Sequence, residues 1–396
     1  MNQKTEIAPL EFARVQQRSM LVGIAGMILL MVGAVFSTGQ FYKSYLFAYV
    51  FWISLPLGCF GILMLHHMVS GRWGYVIQRF LEASTQTLPL MAILFVPILI
   101  GMKNLYPWTT IQPSQDVNGV HFWQSYLNSS FFIIRVVIYF VIWIGLSFLL
   151  TSWSRTQDKT ADPRLTRKIR LLSAPGLVVY VLTMTFAAVD WVMSLEPGWY
   201  STIYGFIFIV GQVLTSFAFA VIVLRILSDR EPFSSILQTS HFHFIGNLVL
   251  TFVVLWAYMA FSQWVIIWAG NLPEENSWYL KRLAPGWGAI GTFLIIAHFF
   301  VPFFILLSRR AKQVIRTLSF VAAGILVMRI IDMFWLVTPS FFPERFHISW
   351  LDVVAPIGIG GIWLAAFIRN LKGQPMLALN DPRFEHGMNI QNAGHD

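Results

Sequence analysis

The sequence is poor in charge and has almost no cysteine. Only 11% of its 396 residues are charged, and Cys59 is its single cysteine. A soluble protein of this length would carry roughly 25% charged residues. One cysteine excludes a disulfide framework, a C-x-x-C-H haem attachment and a cysteine-ligated iron–sulfur cluster. The chain is therefore expected to carry no covalently bound cofactor.

What the sequence does contain is a series of long apolar runs. A bilayer core of about 30 Å requires about 20 apolar residues per helix. Because lipid offers the backbone no hydrogen bonds, such runs are expected to be helical. The ten predicted spans are residues 19–38, 45–68, 86–103, 129–153, 172–194, 203–228, 243–269, 286–308, 313–338 and 348–368. The fold class predicted is an all-α integral membrane protein.

The spans leave little room for other domains. We expect a short N-terminal segment at 1–18, a ten-helix transmembrane domain at 19–368 and a C-terminal tail at 369–396. The first apolar run is longer than the core of a signal peptide and lacks a clear cleavage site, so it is predicted to remain as a helix.

Lysine and arginine predict the orientation. With ten spans, 20 of the 27 Lys and Arg residues fall on the side of the two termini, five on the opposite side and two inside spans. The positive-inside rule then places both termini in the cytoplasm. The opposite loops are rich in Trp, Tyr and Pro, which is typical of an aromatic belt and predicts docking of another subunit there.

Charged residues inside the spans are the main functional signal, because they are costly in lipid and often mark ion or proton pathways. Five charged residues inside or next to the spans are predicted to share the outer half of the membrane: Arg135, Asp190, Arg329, Asp332 and Asp352. Arg329 and Asp332 are three residues apart on one helical face and can pair directly. Arg135 is predicted to pair with Asp190 or Asp332.

Two interpretations of these charges stay open. They form either a fixed ion-pair network that holds helices together or part of a proton path in which a carboxylate titrates. Further polar residues extend the second interpretation into a ladder, which rests on predicted depth alone. Its members are His66 and His67 at the inner end, His298, Tyr258 and Gln263 at the centre, and the outer charges.

Haem and metal sites are disfavoured. A bis-histidine haem requires paired histidines at one depth, and only His298 is central, while adjacent His66 and His67 point about 100° apart on a helix. A secondary transporter is the rival class, since transporters use broken helices and internal repeats. The glycine-rich segment APIGIGGIW (355–363) is better explained by close helix packing, and no internal repeat is evident.

Three blocks of sequence point to a family. They are VDWVMSLEPGWYSTIYG (189–205), WAYMAFSQWVIIWAGNLPEENSWYLKR (256–282) and HFFVPFFILLSR (298–309). They resemble the ActF-type subunits of bacterial alternative complex III, a quinol:acceptor oxidoreductase. These subunits belong to the NrfD/polysulfide-reductase-type membrane proteins, and the ten-span layout extends the resemblance over nearly the whole chain.

The resemblance implies two four-helix bundles plus two flanking helices in a bacterial cytoplasmic membrane. It implies a non-catalytic subunit of a complex that oxidises menaquinol or ubiquinol and delivers electrons to cytochrome c or a blue copper protein. The implied partners are membrane lipids, the larger paralogue ActC, an iron–sulfur subunit and c-type haem subunits, which hold the redox centres. The implied proton path maps onto Asp190, Arg329, Asp332 and His298.

Two other roles remain compatible with the resemblance. The chain could bind a second quinone, with His298 or Tyr258 bonding a quinone carbonyl. It could also be a scaffold that docks the electron-transfer subunits without moving protons.

Overall fold

The computed structural model of the protein describes residues 9–110, 125–372, 374–378 and 380. In these ranges the chain is helical, with ten helices long and apolar enough to cross a membrane. The predicted all-α membrane fold and the number of spans are confirmed. The spans, with α1 given as its whole helix, are α1 Pro9–Phe36, α2 Thr38–Val69, α3 Gln78–Ile100, α4 Ser129–Thr160, α5 Pro163–Leu195, α6 Tyr204–Leu227, α7 Thr239–Gly270, α8 Trp287–Leu307, α9 Ile315–Ser340 and α10 Trp350–Lys372.

Several spans are longer than hydropathy predicts. Helix α3 begins at Gln78 rather than at residue 86, and α4 continues to Thr160 rather than stopping at 153. These extensions carry polar side chains that a hydropathy window rejects. Shorter helices connect the spans, at Arg72–Tyr75, Met102–Leu105, Pro107–Thr109, Phe233–Ile236, Pro273–Leu283 and Arg309–Gln313.

Two spans are interrupted. Helix α3 divides into Gln78–Thr85, Leu88–Leu94 and Val96–Ile100, with a proline near the start of the second and third pieces. A proline has no backbone N–H to donate, so it interrupts the helical ladder. Helix α8 contains a π-helical stretch, Ile295–Phe300. Such stretches are rare and frequently lie at functional sites.

The spans form two four-helix bundles, α2–α5 and α6–α9, flanked by α1 and α10. Helices α2 and α6 pack against each other and join the bundles, and both are largely buried. This matches the architecture that the family resemblance implies. We call the end where α1 begins and α10 ends the basic side, and the other end the aromatic side.

Helices α1 and α10 are held together by glycines. A Cβ placed on Gly26 would lie 2.5 Å from the Gly358 Cα atom, and one on Gly23 would lie 2.5 Å from the Ile362 nitrogen. Small residues let helix backbones approach this closely in lipid, where packing rather than water exclusion drives association. The packing role predicted for the 355–363 segment is confirmed.

Gly26→Leu is expected to separate α1 from α10. The added side chain meets backbone rather than a movable side chain, so we expect a loss of about 1–3 kcal/mol in the free energy of unfolding. Thermal unfolding in detergent measures it. Gly39→Leu is the matched control, since a Cβ at Gly39 meets nothing within 4 Å; equal losses for the two variants would contradict the packing role.

The aromatic loops pack largely on themselves. The Trp199 and Trp278 rings stack with centroids 4.9 Å apart, and both side chains are buried, as is Trp287. Aromatic side chains that stay exposed on this side include Tyr200 and Trp350. Much of the tryptophan content of these loops is therefore used inside the chain, and the loop residues 111–124 lie outside the described ranges.

Candidate functional site

The second bundle encloses a buried ion pair at its centre. Arg329 and Asp332, one turn apart on α9, pair directly as the sequence predicted, and they are only 1% and 3% exposed. The Nε atom of Arg329 also donates to the Thr215 hydroxyl on α6, 3.3 Å away. Two charges are thus held inside the bundle by two helices.

A glycine makes room for this arginine. A Cβ at Gly211 on α6 would lie 2.2 Å from Nη2 of Arg329. Glycine at this position lets the guanidinium lie against the α6 backbone. We expect Gly211→Ala to displace the guanidinium and to cost about 1–3 kcal/mol in unfolding free energy. Thermal unfolding checks the loss, and Gly145→Ala, at a glycine with open space around its Cα, is the control.

His298 lies beside the pair with its ring nitrogens unused. It sits in the π-helical stretch of α8, is completely buried, and packs on Trp256 of α7 with ring centroids 4.1 Å apart. Among the described residues neither ring nitrogen has a hydrogen-bond partner. The ring is close enough to Arg329 to interact electrostatically with it. A buried polar group without a partner is uncommon and requires an explanation.

Together these residues bring a carboxylate, a guanidinium and an imidazole into one apolar bundle. The Trp256 indole lies next to both Asp332 and His298. A carboxylate and an imidazole can each take up and release a proton, and the arginine can stabilise the ionised carboxylate. No group of three or more His, Cys, Asp or Glu side chains able to hold a metal ion occurs in the described ranges.

The first bundle holds the other predicted ion pair, in a different environment. Arg135 of α4 donates to both carboxylate oxygens of Asp190 on α5, at 2.9 and 2.8 Å, so the first of the two predicted pairings is found. The Tyr139 hydroxyl adds a third hydrogen bond to Asp190 at 2.7 Å. The guanidinium lies over the Tyr126 ring at 3.9 Å and donates to the Tyr126 carbonyl. Asp190 is thus surrounded by donors and well compensated.

Asp352 has a local structural role. Its carboxylate accepts from the backbone N–H of Ser349 at 2.7 Å and from the Ser44 hydroxyl at 2.6 Å. The Ser349 hydroxyl accepts in turn from the Leu351 N–H. This exchange is the usual way to satisfy the first N–H groups of a helix, here of α10.

The remaining members of the predicted ladder do not meet. Tyr258 is 62% exposed on the outer face of α7, away from the bundle interior. Gln263 bonds Ser201 and Tyr279 in the aromatic loops. His66 and His67 lie at the basic side, where His66 packs against Tyr75. Predicted depth was the only basis for the ladder, and depth does not fix which way a side chain faces.

Two buried ion networks were missed. At the aromatic side, Glu196 is buried and accepts from Arg282 at 3.0 Å, Lys281 at 2.7 Å and Ser340 at 2.7 Å. Glu196 lies just beyond the predicted span 172–194, so hydropathy gave no indication that it is buried. The clue in the sequence was the adjacent pair of cations, Lys281 and Arg282, which lie on the helix Pro273–Leu283. This helix folds over Glu196 and reaches the end of α9.

The second missed network lies at the basic side of the first bundle. Arg79 pairs with Glu82 at 2.6 Å and with Asp158 at 2.5 Å, and Glu82 also accepts from Ser154 at 2.7 Å. Arg79 and Glu82 are almost fully buried. The network was missed because α3 had been predicted to begin after both residues.

The Glu196 network leads to a prediction about how the stability of the fold depends on pH. Burial by itself would raise the pKa of Glu196, but Arg282 and Lys281 lower it below its ordinary value. Because the folded-state pKa is the lower one, the network stabilises the fold above the ordinary carboxyl pKa of about 4.3. The stabilisation is lost as the pH falls through the folded-state value.

We therefore expect Glu196→Gln to lower the unfolding free energy by about 3 kcal/mol at pH 7, because it leaves Arg282 buried without its partner. The difference from the unsubstituted chain should shrink under acid. Thermal unfolding across pH measures it, with the exposed Glu274→Gln as the control. A difference that does not change with pH would contradict the ion pair as its source.

The fold and its buried charges define an all-α, multi-pass membrane protein with an ionisable site inside its second bundle. No family model matches the chain, and no curated protein matches it. The resemblance to the ActF-type subunits therefore rests on the three sequence blocks given above. Two of these blocks contain site residues, Trp256 and His298.

Proposed function

We propose that this chain is a cofactor-free membrane subunit of a quinol:acceptor oxidoreductase complex of the alternative complex III type. In this proposal it anchors the electron-transfer subunits and carries a proton path through its second bundle. The complex lies in a bacterial cytoplasmic membrane with both chain termini in the cytoplasm. The redox centres belong to partner subunits, including the iron–sulfur and c-type haem subunits and the paralogue ActC.

The observation that carries the proton path is the His298 site. Its imidazole is fully buried and has no hydrogen-bond partner among the described residues, next to a buried Arg329–Asp332 pair. A purely structural histidine would be expected to use at least one ring nitrogen. An imidazole with free nitrogens that shares its Trp256 neighbour with the Asp332 carboxylate is suited to accept a proton and pass it on.

The proposed proton path contains fewer residues than the path predicted from the sequence. It uses Asp332, Arg329 and His298, with Trp256 and Thr215 as packing partners. Asp190 and Asp352 are left out, because their hydrogen bonds give each a structural role. Tyr258 is left out because it faces away from the bundle.

A quinone-binding role is the second candidate. The free ring nitrogens of His298 favour it, since a histidine N–H can donate to a quinone carbonyl. Joint binding with Tyr258 is disfavoured by the exposed position of that residue on α7. Under this alternative, substitution of His298 would change the affinity for quinol while the ratio of protons moved per electron stays constant.

Purification of the chain from its native membrane in mild detergent tests the assignment to a complex. The subunits that co-purify are identified by mass spectrometry, and the redox spectrum of the eluate is recorded. A second ten-helix subunit, an iron–sulfur subunit and c-type haem absorbance are the expected result. A chain that elutes alone, with no haem signal, would contradict the assignment and favour a transporter.

A further inference from the structure

A groove between three helices opens at the basic side. It has a volume of about 560 Å³ and lies between α1, α6 and α10. Its wall is apolar, with side chains such as Phe219, Ile222 and Phe367. All three helices reach this groove with the ends that lie at the basic side. The groove is distinct from the His298 site, which lies among α6–α9.

Three arginines line the groove together with this apolar wall: Arg14 and Arg18 from α1, and Arg230 just beyond the end of α6. Among the described residues no Asp or Glu is part of the lining. The nearby Asp229 is exposed and is paired with Arg225 at 2.9 Å. The groove therefore places three arginine side chains beside an apolar surface.

The dimensions of the groove match one leaflet of a membrane. On α6 its lining runs from Phe219 to Leu227, which spans about 12 Å at 1.5 Å per residue. One leaflet of the hydrocarbon core is about 15 Å thick. Arg230 follows the end of this stretch, and Arg14 and Arg18 precede the apolar run of α1 that begins at residue 19.

We propose that this groove binds one anionic phospholipid from the leaflet at the basic side. Its phosphate is held by Arg14, Arg18 and Arg230, and an acyl chain lies along the apolar wall. Arginine is suited to bind phosphate because its planar guanidinium can donate two parallel hydrogen bonds to the phosphate oxygens. A transmembrane helix of a partner subunit fits less well. The groove would contact only about half the length of such a helix, and the helix would have to cover the arginines.

Native mass spectrometry of the purified protein with added phosphatidylglycerol or phosphatidylcholine tests the proposal. Attraction of a basic side chain to anionic lipid corresponds to about fivefold in affinity per residue. The triple variant Arg14→Gln/Arg18→Gln/Arg230→Gln should therefore bind phosphatidylglycerol about 100-fold more weakly. Phosphatidylcholine should bind weakly to both proteins, and excess inorganic phosphate should not displace the lipid.

The matched control is Arg309→Gln/Arg310→Gln/Arg316→Gln, which removes three exposed arginines from the same side of the membrane. It should leave phosphatidylglycerol binding unchanged. A loss equal to that of the first triple variant would overturn the proposal in favour of diffuse surface charge. Equal binding of the two lipids would overturn it as well.

Two further measurements keep the proposal testable if the triple variant folds poorly. Ile226→Trp retains every arginine but fills the apolar wall, so it should weaken phosphatidylglycerol binding. A photo-crosslinking amino acid at Ile226 in native membranes should give an adduct of lipid mass. A crosslink to another polypeptide would overturn the proposal and identify the groove as a subunit interface.

Discussion

Proteoliposomes that contain the proposed complex with Asp332→Asn are expected to oxidise quinol while moving fewer protons per electron than the wild type. Asparagine keeps the shape and a hydrogen-bond acceptor for Arg329, but it cannot bind and release a proton. A side chain that relays a proton typically contributes about 10² to 10⁴ in rate. Proton movement through the second bundle should therefore fall by at least about a hundredfold.

The measurement is the initial proton-to-electron ratio, from a pH-sensitive dye inside the vesicles and the absorbance of the reduced acceptor. Asp352→Asn is the matched control, since it makes the same chemical change at a carboxylate that caps a helix. It should leave the ratio unchanged. An unchanged ratio in Asp332→Asn would rule out this carboxylate as a proton carrier.

His298→Gln belongs to the same experiment. Glutamine retains a donor and an acceptor but does not titrate near neutral pH, so coupling should fall here too. A raised quinol KM with an unchanged proton-to-electron ratio would instead support the quinone-binding alternative. The two readouts separate the two candidate functions at one residue.

The largest loss of stability is expected from Arg135→Met. This change leaves the Asp190 carboxylate, which is completely buried, without the cation that bonds both its oxygens. Removing one partner of a buried ion pair typically costs about 3–5 kcal/mol. Thermal unfolding in detergent or nanodiscs should therefore show a strongly destabilised protein.

The double variant Arg135→Met/Asp190→Leu completes the test. With both charges gone, an apolar replacement of similar volume is often neutral or even stabilising. The double variant should therefore be more stable than Arg135→Met alone. Losses that simply add would show that the two side chains act independently, against the bidentate geometry.

The two aspartates occupy corresponding places in the two bundles. Asp190 lies near the end of α5 and Asp332 near the end of α9, the last helix of each bundle, and each is followed seven residues later by a proline, Pro197 and Pro339. A short 3-10 turn follows each carboxylate, at Met193–Leu195 and Thr338–Ser340. The sequence alone did not reveal this repeat, because the intervening side chains differ.

Asp190 and Asp332 differ in the side chains that surround them. Asp190 receives hydrogen bonds from Arg135 and Tyr139, which fix its carboxylate in place. Asp332 pairs with an arginine on its own helix and shares its Trp256 neighbour with His298, whose ring nitrogens have no hydrogen-bond partner among the described residues. One bundle thus uses its carboxylate for packing, and in our proposal the other uses it for proton transfer.

The sequence by itself determined the class of fold and four of the buried charges. Hydropathy was sufficient to find ten spans, because every apolar run of this length must be helical in lipid. It also marked Arg135, Asp190, Arg329 and Asp332 as buried. The Arg329–Asp332 pair followed from helical spacing alone, since residues three apart share a face.

Only the tertiary structure decided which helices are neighbours and which way each side chain faces. Tyr258 and His298 have similar predicted depth, yet one faces outward and the other lies in the bundle. Glu196 follows a span in the sequence but is buried, because the 273–283 helix folds over it. Hydropathy measures depth along one helix, whereas the rotation and partners of that helix are fixed by packing against the others.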